Sequence, residues 1–377
     1  MRSDCIKQKV ERGRYSVHAL SDGLLKTRKL LLMRVLVTGH RGYVGAVLVG
    51  VLRHSGFDVA GADLELFQDC DFGRVRDDIP SFPCDVGELA PADLASFDAV
   101  VHLAWQPDDT PCLASHVLEE NVRSTLRLAE SCREARVARF VFVSTWQVYG
   151  RCLGRNCDEG ADADRSDTAR GKRRAEQRLR SLVEAPFRPV IVRAAECYGV
   201  SPRLRLDQMV NRWTAQAVTS GAVHVEGDGR SWRPLIHVED LARACAAIVS
   251  APDDSLVHDV LNVAAPDQNL RLREIADTVA EATRSVRRLY EREDHHQHPD
   301  ARLDVGRFLR AFPRFQFRWS LERGVAQLRD AMMHAGLTPA DLRTDRFDRC
   351  RRFLALIDSG RIAVPRAGGT PQPVAVV

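Results

Sequence analysis

A short apolar run, residues 34–38 (RVLVT), leads without a break into Gly39, Gly42 and Gly45, three apart, and then into a stretch of helical spacing over 45–54. Few folds accept that arrangement. A strand that turns at once into a helix uses one glycine for the tight turn, one to let backbone approach a pyrophosphate, and one where helix lies close against strand. The helix start then offers unpaired N–H groups and the positive end of its dipole to phosphate. A second strand over 58–62 is followed by Asp63, placed where a carboxylate accepts hydrogen bonds from an adenosine ribose. These residues predict a dinucleotide site, with Gly39, Gly42, Tyr43, Val44 and Gly45 around the phosphates. Asp63 would repel a 2′-phosphate, which favours NAD, whereas Arg41 in the same loop is the feature that would suit NADP.

The alternation continues. Strands are expected at 99–103, 140–144, 189–192 and 260–263, with helices at 121–134 and 169–184 between them. Short β-branched runs alternating with amphipathic stretches predict an α/β fold built on a doubly wound parallel sheet. Beyond about residue 195 the rhythm loosens, which predicts a smaller, interleaved C-terminal region for substrate. The expected organisation is a leader over 1–32 (a disordered extension or an upstream start), a dinucleotide-binding domain over 33–194, a substrate region over 195–330, a helical appendage over 331–363 and a disordered tail over 364–377.

At 377 residues the chain can bury a large core without disulfide or metal. No apolar run reaches the roughly 18 to 20 residues needed to cross a bilayer, so no membrane span is expected. A net charge of +4, with basic and acidic residues interspersed, gives no stripe for nucleic acid. The ten cysteines lack metal-ligand spacing and are read as reduced cytoplasmic thiols. The patch at His295, His296 and His298 has no second ligand cluster, so no metal is expected. Only five of the 55 basic residues are lysines, and after Lys29 the next and last is Lys172. In so arginine-biased a chain, Lys172 invites a chemical explanation.

Further motifs appear in order: Cys84-Asp85-Val86, Leu103-Ala104-Trp105, Asn121, the segment Ser144-Thr145-Trp146-Gln147-Val148-Tyr149-Gly150, and Gly227-Asp228-Gly229 followed by Arg233 and His237-Val238-Glu239-Asp240. Together with the glycine loop these resemble the extended short-chain dehydrogenase/reductase family that modifies nucleotide sugars, over residues 33 to about 330. The resemblance implies a Rossmann-type fold, NAD as cofactor and a nucleoside diphosphate sugar as substrate. It implies Asp85 and Val86 at the adenine, Leu103, Ala104 and Asn121 along the cofactor, and Thr145 on the reacting sugar. Arg233 would hold the substrate diphosphate by charge-assisted hydrogen bonds, and Glu196 stands where an asparagine often contacts substrate. Family members commonly dimerise through the helices that correspond to 121–134 and 169–184, so a cytoplasmic homodimer is expected.

The family's Tyr-x-x-x-Lys is incomplete. Lys172 and the following Glu176 fit, but the tyrosine slot holds Thr168. An aliphatic hydroxyl is a far poorer acid than a phenol and cannot replace it as a base. Thr145 or a water it orients, Asp167 beside the empty slot, or a reaction that needs no tyrosine are the three repairs. The residues after Thr145 are Trp146 and Gln147, where the 4,6-dehydratase subfamily places an acid pair, which disfavours water elimination by that route. The leading expectation is epimerase-like chemistry with transient hydride transfer. Alternatives are a nucleotide-sugar isomerase or mutase, and a non-catalytic NAD-binding regulatory or scaffold protein.

Overall fold

The computed structural model describes residues 33–73, 79–107, 114–161, 169–252, 256, 259–284, 287–290, 300–363 and 375–376. Thr168, Asp167 and the histidine patch fall outside them. The elements are β1 (Arg34–Thr38), α1 (Tyr43–His54), β2 (Asp58–Asp63), β3 (Ser81–Pro83), α2 (Pro91–Leu94), β4 (Ala99–His102), α3 (Ala114–Glu134), β5 (Arg139–Thr145), β6 (Arg151–Cys157), α4 (Arg170–Arg180) and β7 (Arg188–Ala194). They continue as β8 (Glu196–Tyr198), α5 (Met209–Ser220), β9 (Ala222–Val225), β10 (Trp232–His237), α6 (Val238–Ser250), β11 (Val260–Val263), β12 (Asn269–Arg271), α7 (Leu272–Thr283) and β13 (Arg287–Tyr290). Last come β14 (Asp300–Leu303), α8 (Gly306–Ala311), α9 (Leu321–His334), α10 (Arg349–Asp358), β15 (Ile362–Ala363) and β16 (Ala375–Val376).

A seven-stranded sheet runs β11-β7-β5-β4-β1-β2-β3, and every pairing in it is parallel. Successive side chains of a strand point to opposite faces, and both faces here are covered. Val35, Val37, Val141, Val143, Val190 and Val192 pack with Leu48 and Leu52 of α1 and Leu241 and Ile248 of α6. Their neighbours Leu36, Phe140, Phe142 and Ile191 pack the other way, on Leu128 and Cys132 of α3 and Ala175 and Leu179 of α4. This is the doubly wound sheet expected. Strand order reverses between β1 and β4, so their carboxyl ends diverge and leave a crevice.

Around residues 196–303 smaller pairings take over. β10 lies between β8, parallel, and β12, antiparallel; β13 pairs with β9 and β14 with β6, both parallel. Ala375–Val376 pairs antiparallel with Ile362–Ala363. Within β6 the sulfurs of Cys152 and Cys157 lie next to each other. Their five-residue separation brings both sulfurs together where the β6–β14 register shifts. No helix among the described residues is long and apolar enough to cross a membrane.

Candidate active site

The crevice is built from the glycine loop. Gly39 sits at φ +69°, and a Cβ there would stand 2.8 Å from the Ala104 nitrogen. A Cβ on Gly45 would stand 2.1 Å from the Gly39 carbonyl oxygen and 2.7 Å from His40 Cα, so only glycine lets α1 begin this close to the loop. Gly42 caps α1 with no side-chain hydrogen bond, which leaves the first-turn amides to a ligand. Below the loop, Thr38 Oγ1 lies 2.7 Å from His102 Nδ1, and His102 Nε2 lies 2.9 Å from Thr125 Oγ1. Burial, with Lys172 adding to it, holds the His102 ring down at about 3, so a neutral imidazole ties β1, β4 and α3 together. Tyr43 and Val44 begin α1 with their side chains outside the crevice. The Tyr43 hydroxyl donates to the Gly199 carbonyl at 2.7 Å and accepts from Asn211 Nδ2 at 3.1 Å. Its ring packs among Tyr198, Met209 and Val210, and neither side chain lines the crevice.

The crevice is lined by Gly39, Gly42, Asp63, Asp85, Val86, Leu103, Ala104 and Asn121 from the expected set. Asp63 Oδ2 accepts from the Arg41 amide at 3.0 Å and Oδ1 from the Glu65 amide at 2.8 Å, which aims the carboxylate across the loop. The Arg41 guanidinium pairs with Glu65 at 3.2 Å, so the group that would favour a 2′-phosphate already faces a carboxylate. Asp85 accepts from Gly87 N at 2.7 Å and from Ser124 Oγ at 3.3 Å. Asn121 accepts from Gln106 N and donates to Gln106 O, both at 2.9 Å, pinning the chain beyond β4 to α3. Sequence reasoning missed Leu64, Leu66, Phe67 and Glu120 on the same walls. The first three follow Asp63 in an irregular segment, and Glu120 is a buried carboxylate paired with Arg123. A cradle of uncapped amides, closed glycine contacts and a ribose-height carboxylate fits a dinucleotide, and the three acidic side chains Asp63, Asp85 and Glu120 fit one without a third phosphate.

Lys172 is directed inward. Its Nζ donates to the Val143 carbonyl at 2.9 Å and lies 4.1 Å from the Trp105 ring centre and 4.7 Å from that of Phe142. That places an ammonium at the carboxyl end of β5, two residues from Thr145, with Trp105 joining it to the crevice wall. Thr145 Oγ1 accepts from Gln147 N at 3.3 Å. Of the residues after it, Trp146 is buried and Gln147 exposed. α4 starts at Arg170, two positions beyond the Thr168 slot.

The described tyrosines do not fill that slot. Burial pushes Tyr149 up to about 12; its hydroxyl accepts from Arg193 at 2.9 Å and donates to Asn262 Oδ1 at 2.7 Å. Tyr198 donates to Gln268 at 2.9 Å, Tyr43 to Gly199, and Tyr290 is exposed on β13.

Glu196 and Arg233 meet. Arg233 Nε lies 3.8 Å from Glu196 Oε2, the arginine buried and the glutamate half-buried, and its guanidinium lies 5.5 Å from the Trp146 ring centre. Burial raises the Glu196 carboxyl, with Arg233 drawing it back. The parallel pairing of β8 and β10 makes this contact, so Arg233 and Thr145 share the ground around Trp146. The His237-Val238-Glu239-Asp240 segment anchors structure instead. His237 Nδ1 accepts from Glu239 N at 3.2 Å, its Nε2 lies 3.1 Å from Gln327 Oε1, and its ring stacks on Trp319 at 4.0 Å. Asp240 accepts from Arg318 N at 2.9 Å and Trp319 N at 3.0 Å.

Burial lowers His237 from 6.5 to about 4. A base with a folded pKa below its unfolded one leaves the native state intact above 6.5 and weakens it as pH falls towards 4, by about 1.4 kcal/mol per pH unit. His237→Asn keeps a capping acceptor but does not titrate. Urea midpoints of the unaltered chain should therefore fall relative to this variant between pH 6.5 and 4; parallel curves would refute the assignment.

The family model described as the NAD dependent epimerase/dehydratase family matches residues 35–264. A protein of Bacillus subtilis (strain 168) named as an uncharacterized UDP-glucose epimerase, YtcB, is 26% identical over 246 residues, covering 61% of this chain and 76% of its own. Among solved structures, the NAD-dependent NDP-hexosamine 5,6-dehydratase TunA superposes with TM-score 0.71 at 23% identity, over 80% of this chain and 98% of its own. MoeE5 in complex with UDP-glucuronic acid and NAD gives TM-score 0.66 at 26% identity, over 80% of this chain and 99% of its own.

Proposed function

The chain belongs to the NAD dependent epimerase/dehydratase family, and from that premise we propose that it modifies a nucleoside diphosphate sugar in an epimerase-like way. The observation that carries this is the inward ammonium of Lys172, bonded to the Val143 carbonyl and set against Trp105 of the crevice wall. NAD, when bound, supplies an acceptor for hydride and returns it. The chain's own residues divide the remaining work. The amides after Gly42 face the pyrophosphate, Asp63 accepts from the adenosine ribose, and Asp85 and Val86 border the adenine. Lys172 holds the nicotinamide ribose hydroxyls. Thr145 binds the reacting sugar hydroxyl, and Arg233 the substrate diphosphate, with Glu196 beside it limiting how much negative charge that end accepts. Proton transfer falls to Thr145 as a relay through water, or to Asp167 beside the tyrosine slot in the sequence. The isomerase and scaffold readings are not favoured, since the relatives are epimerases and dehydratases.

Mass spectrometry of ligand carried by the purified protein, followed by a nucleotide-sugar panel watched for transient reduced nicotinamide, tests the reading. Neither NAD nor any sugar-dependent signal would overturn it. Titration should show NAD binding at least about tenfold more tightly than NADP, and Glu65→Gln, which releases Arg41, should narrow the gap. Equal affinities in the unaltered chain would refute the charge argument.

We also propose a cytoplasmic homodimer through α3 and α4. Their outer faces carry Glu119 and Arg174, paired with each other, with Arg127, Glu130 and Arg178 also exposed. An interface of that character should loosen as salt rises, which sedimentation at low and high ionic strength would read. A mass unchanged by salt would count against these faces.

A further inference from the structure

The cofactor crevice has a wall that comes from far along the chain. Leu64, Leu66 and Phe67 line the crevice beside Asp63, and their other sides pack on α10. Phe353 and Leu356 form one buried cluster with Leu66, Val117 of α3 and Ile362, with Leu64 and Phe67 against it. Arg349 is buried and holds its guanidinium 4.5 Å from the Phe67 ring centre. The segment is fastened along its backbone as well. Arg203 Nη1 donates to the Gln68 carbonyl at 2.6 Å, Arg352 bonds Asp69 at 2.9 Å, and Arg346 donates to the Asp71 carbonyl. A segment of irregular backbone would on its own be among the first to open. Here it is gripped on the side away from the ligand. α10 also lies beyond the residues that the family model matches.

The geometry points to α10 as a clasp for the cofactor: Arg349 and Phe353 are positioning residues that hold residues 64–72 in place as the adenosine wall and slow the release of NAD. The inference rests on the cofactor assignment above and adds the device that retains the cofactor. Binding and clasp are coupled, because order in the segment is shared by both. A ligand that requires the segment closed must stabilise α10, and loosening α10 must speed the ligand's departure.

Amide hydrogen exchange on the full chain, with and without NAD, reads the coupling. Protection should rise together in the glycine loop, in 64–72 and in 349–358. Protection of the glycine loop with 349–358 unchanged overturns the clasp alone, and an unaltered chain that binds no NAD overturns it together with the cofactor reading. In stopped-flow, Phe353→Ala should release NAD at least about tenfold faster, with Phe353→Leu restoring most of the retention. A purely structural role would lower the melting temperature of the ligand-free protein and leave the release rate where it was, which also overturns the proposal. Should Phe353→Ala fail to fold, the exchange measurement on the unaltered chain decides.

Discussion

Replacing Lys172 by methionine is expected to lower turnover of a nucleoside diphosphate sugar by roughly 10²-fold, the cost of misplacing the reacting groups, while the protein stays folded. The substitution is chosen for its shape. Methionine reproduces the unbranched stem that passes Trp105 and Phe142 and makes favourable sulfur–aromatic contacts. Only the ammonium is lost, together with its bond to the Val143 carbonyl. Arginine should not rescue, because a planar fork of five donors cannot be satisfied by one carbonyl in a slot between two rings. Loss of the charge removes one influence that lowers the His102 pKa, but burial, the larger cause, still keeps that ring neutral. Steady-state turnover, the absorbance of reduced nicotinamide and the melting temperature of the ligand-free protein together separate chemistry from folding. Turnover within a fewfold of the unaltered chain would make Lys172 a packing residue and remove the central support for the proposed function.

How much of this was legible beforehand depends on how local the signal is. Gly39, Gly42 and Gly45 are read from spacing because the steric demands they meet arise within a few residues of each other, and Asp63 because it ends a strand paired directly to β1. The buried strands are apolar runs with water on neither face, so β1, β2, β4, β5, β7 and β11 were visible. β3, three residues ending in Pro83, lies at the sheet edge and has too little pattern to show. α3 begins at Ala114, ahead of the expected 121. Glu196 and Arg233 are 37 positions apart, and the pairing of β8 with β10, which sets Glu196 against Leu235, brings them within reach of each other. Likewise nothing near Leu66 announces that α10, almost 300 residues on, will cover it. Long-range partners are chosen by tertiary structure, and a motif names the residue without naming what faces it.

Cutting the pair of Glu176 and Arg193 on one side only is expected to have the largest effect on stability, about 3–5 kcal/mol for either Glu176→Leu or Arg193→Met. Arg193 donates to Glu176 Oε2 through Nη2 at 2.7 Å and Nε at 3.1 Å, with 11% and 4% of the two side chains exposed. Glu176 also accepts from Ser144, and Arg193 reaches Tyr149, which continues to Asn262 and on to Glu159 at 2.7 Å. One chain of bonds therefore joins α4, which carries Lys172, to β5 beside Thr145 and to β7 and β11. Removing the acid strands a buried guanidinium; removing the base strands a buried carboxylate. The double replacement withdraws both charges and should cost less than either single one, a coupling that urea unfolding of the four proteins measures directly. Additive losses would show that each charge is solvated without the other. Turnover supplies an independent reading. Ser144 loses its partner in every variant lacking Glu176, so the double variant should regain stability and still turn over slowly, because position at the end of β5 depends on that bond while folding requires only that no charge be left unpaired.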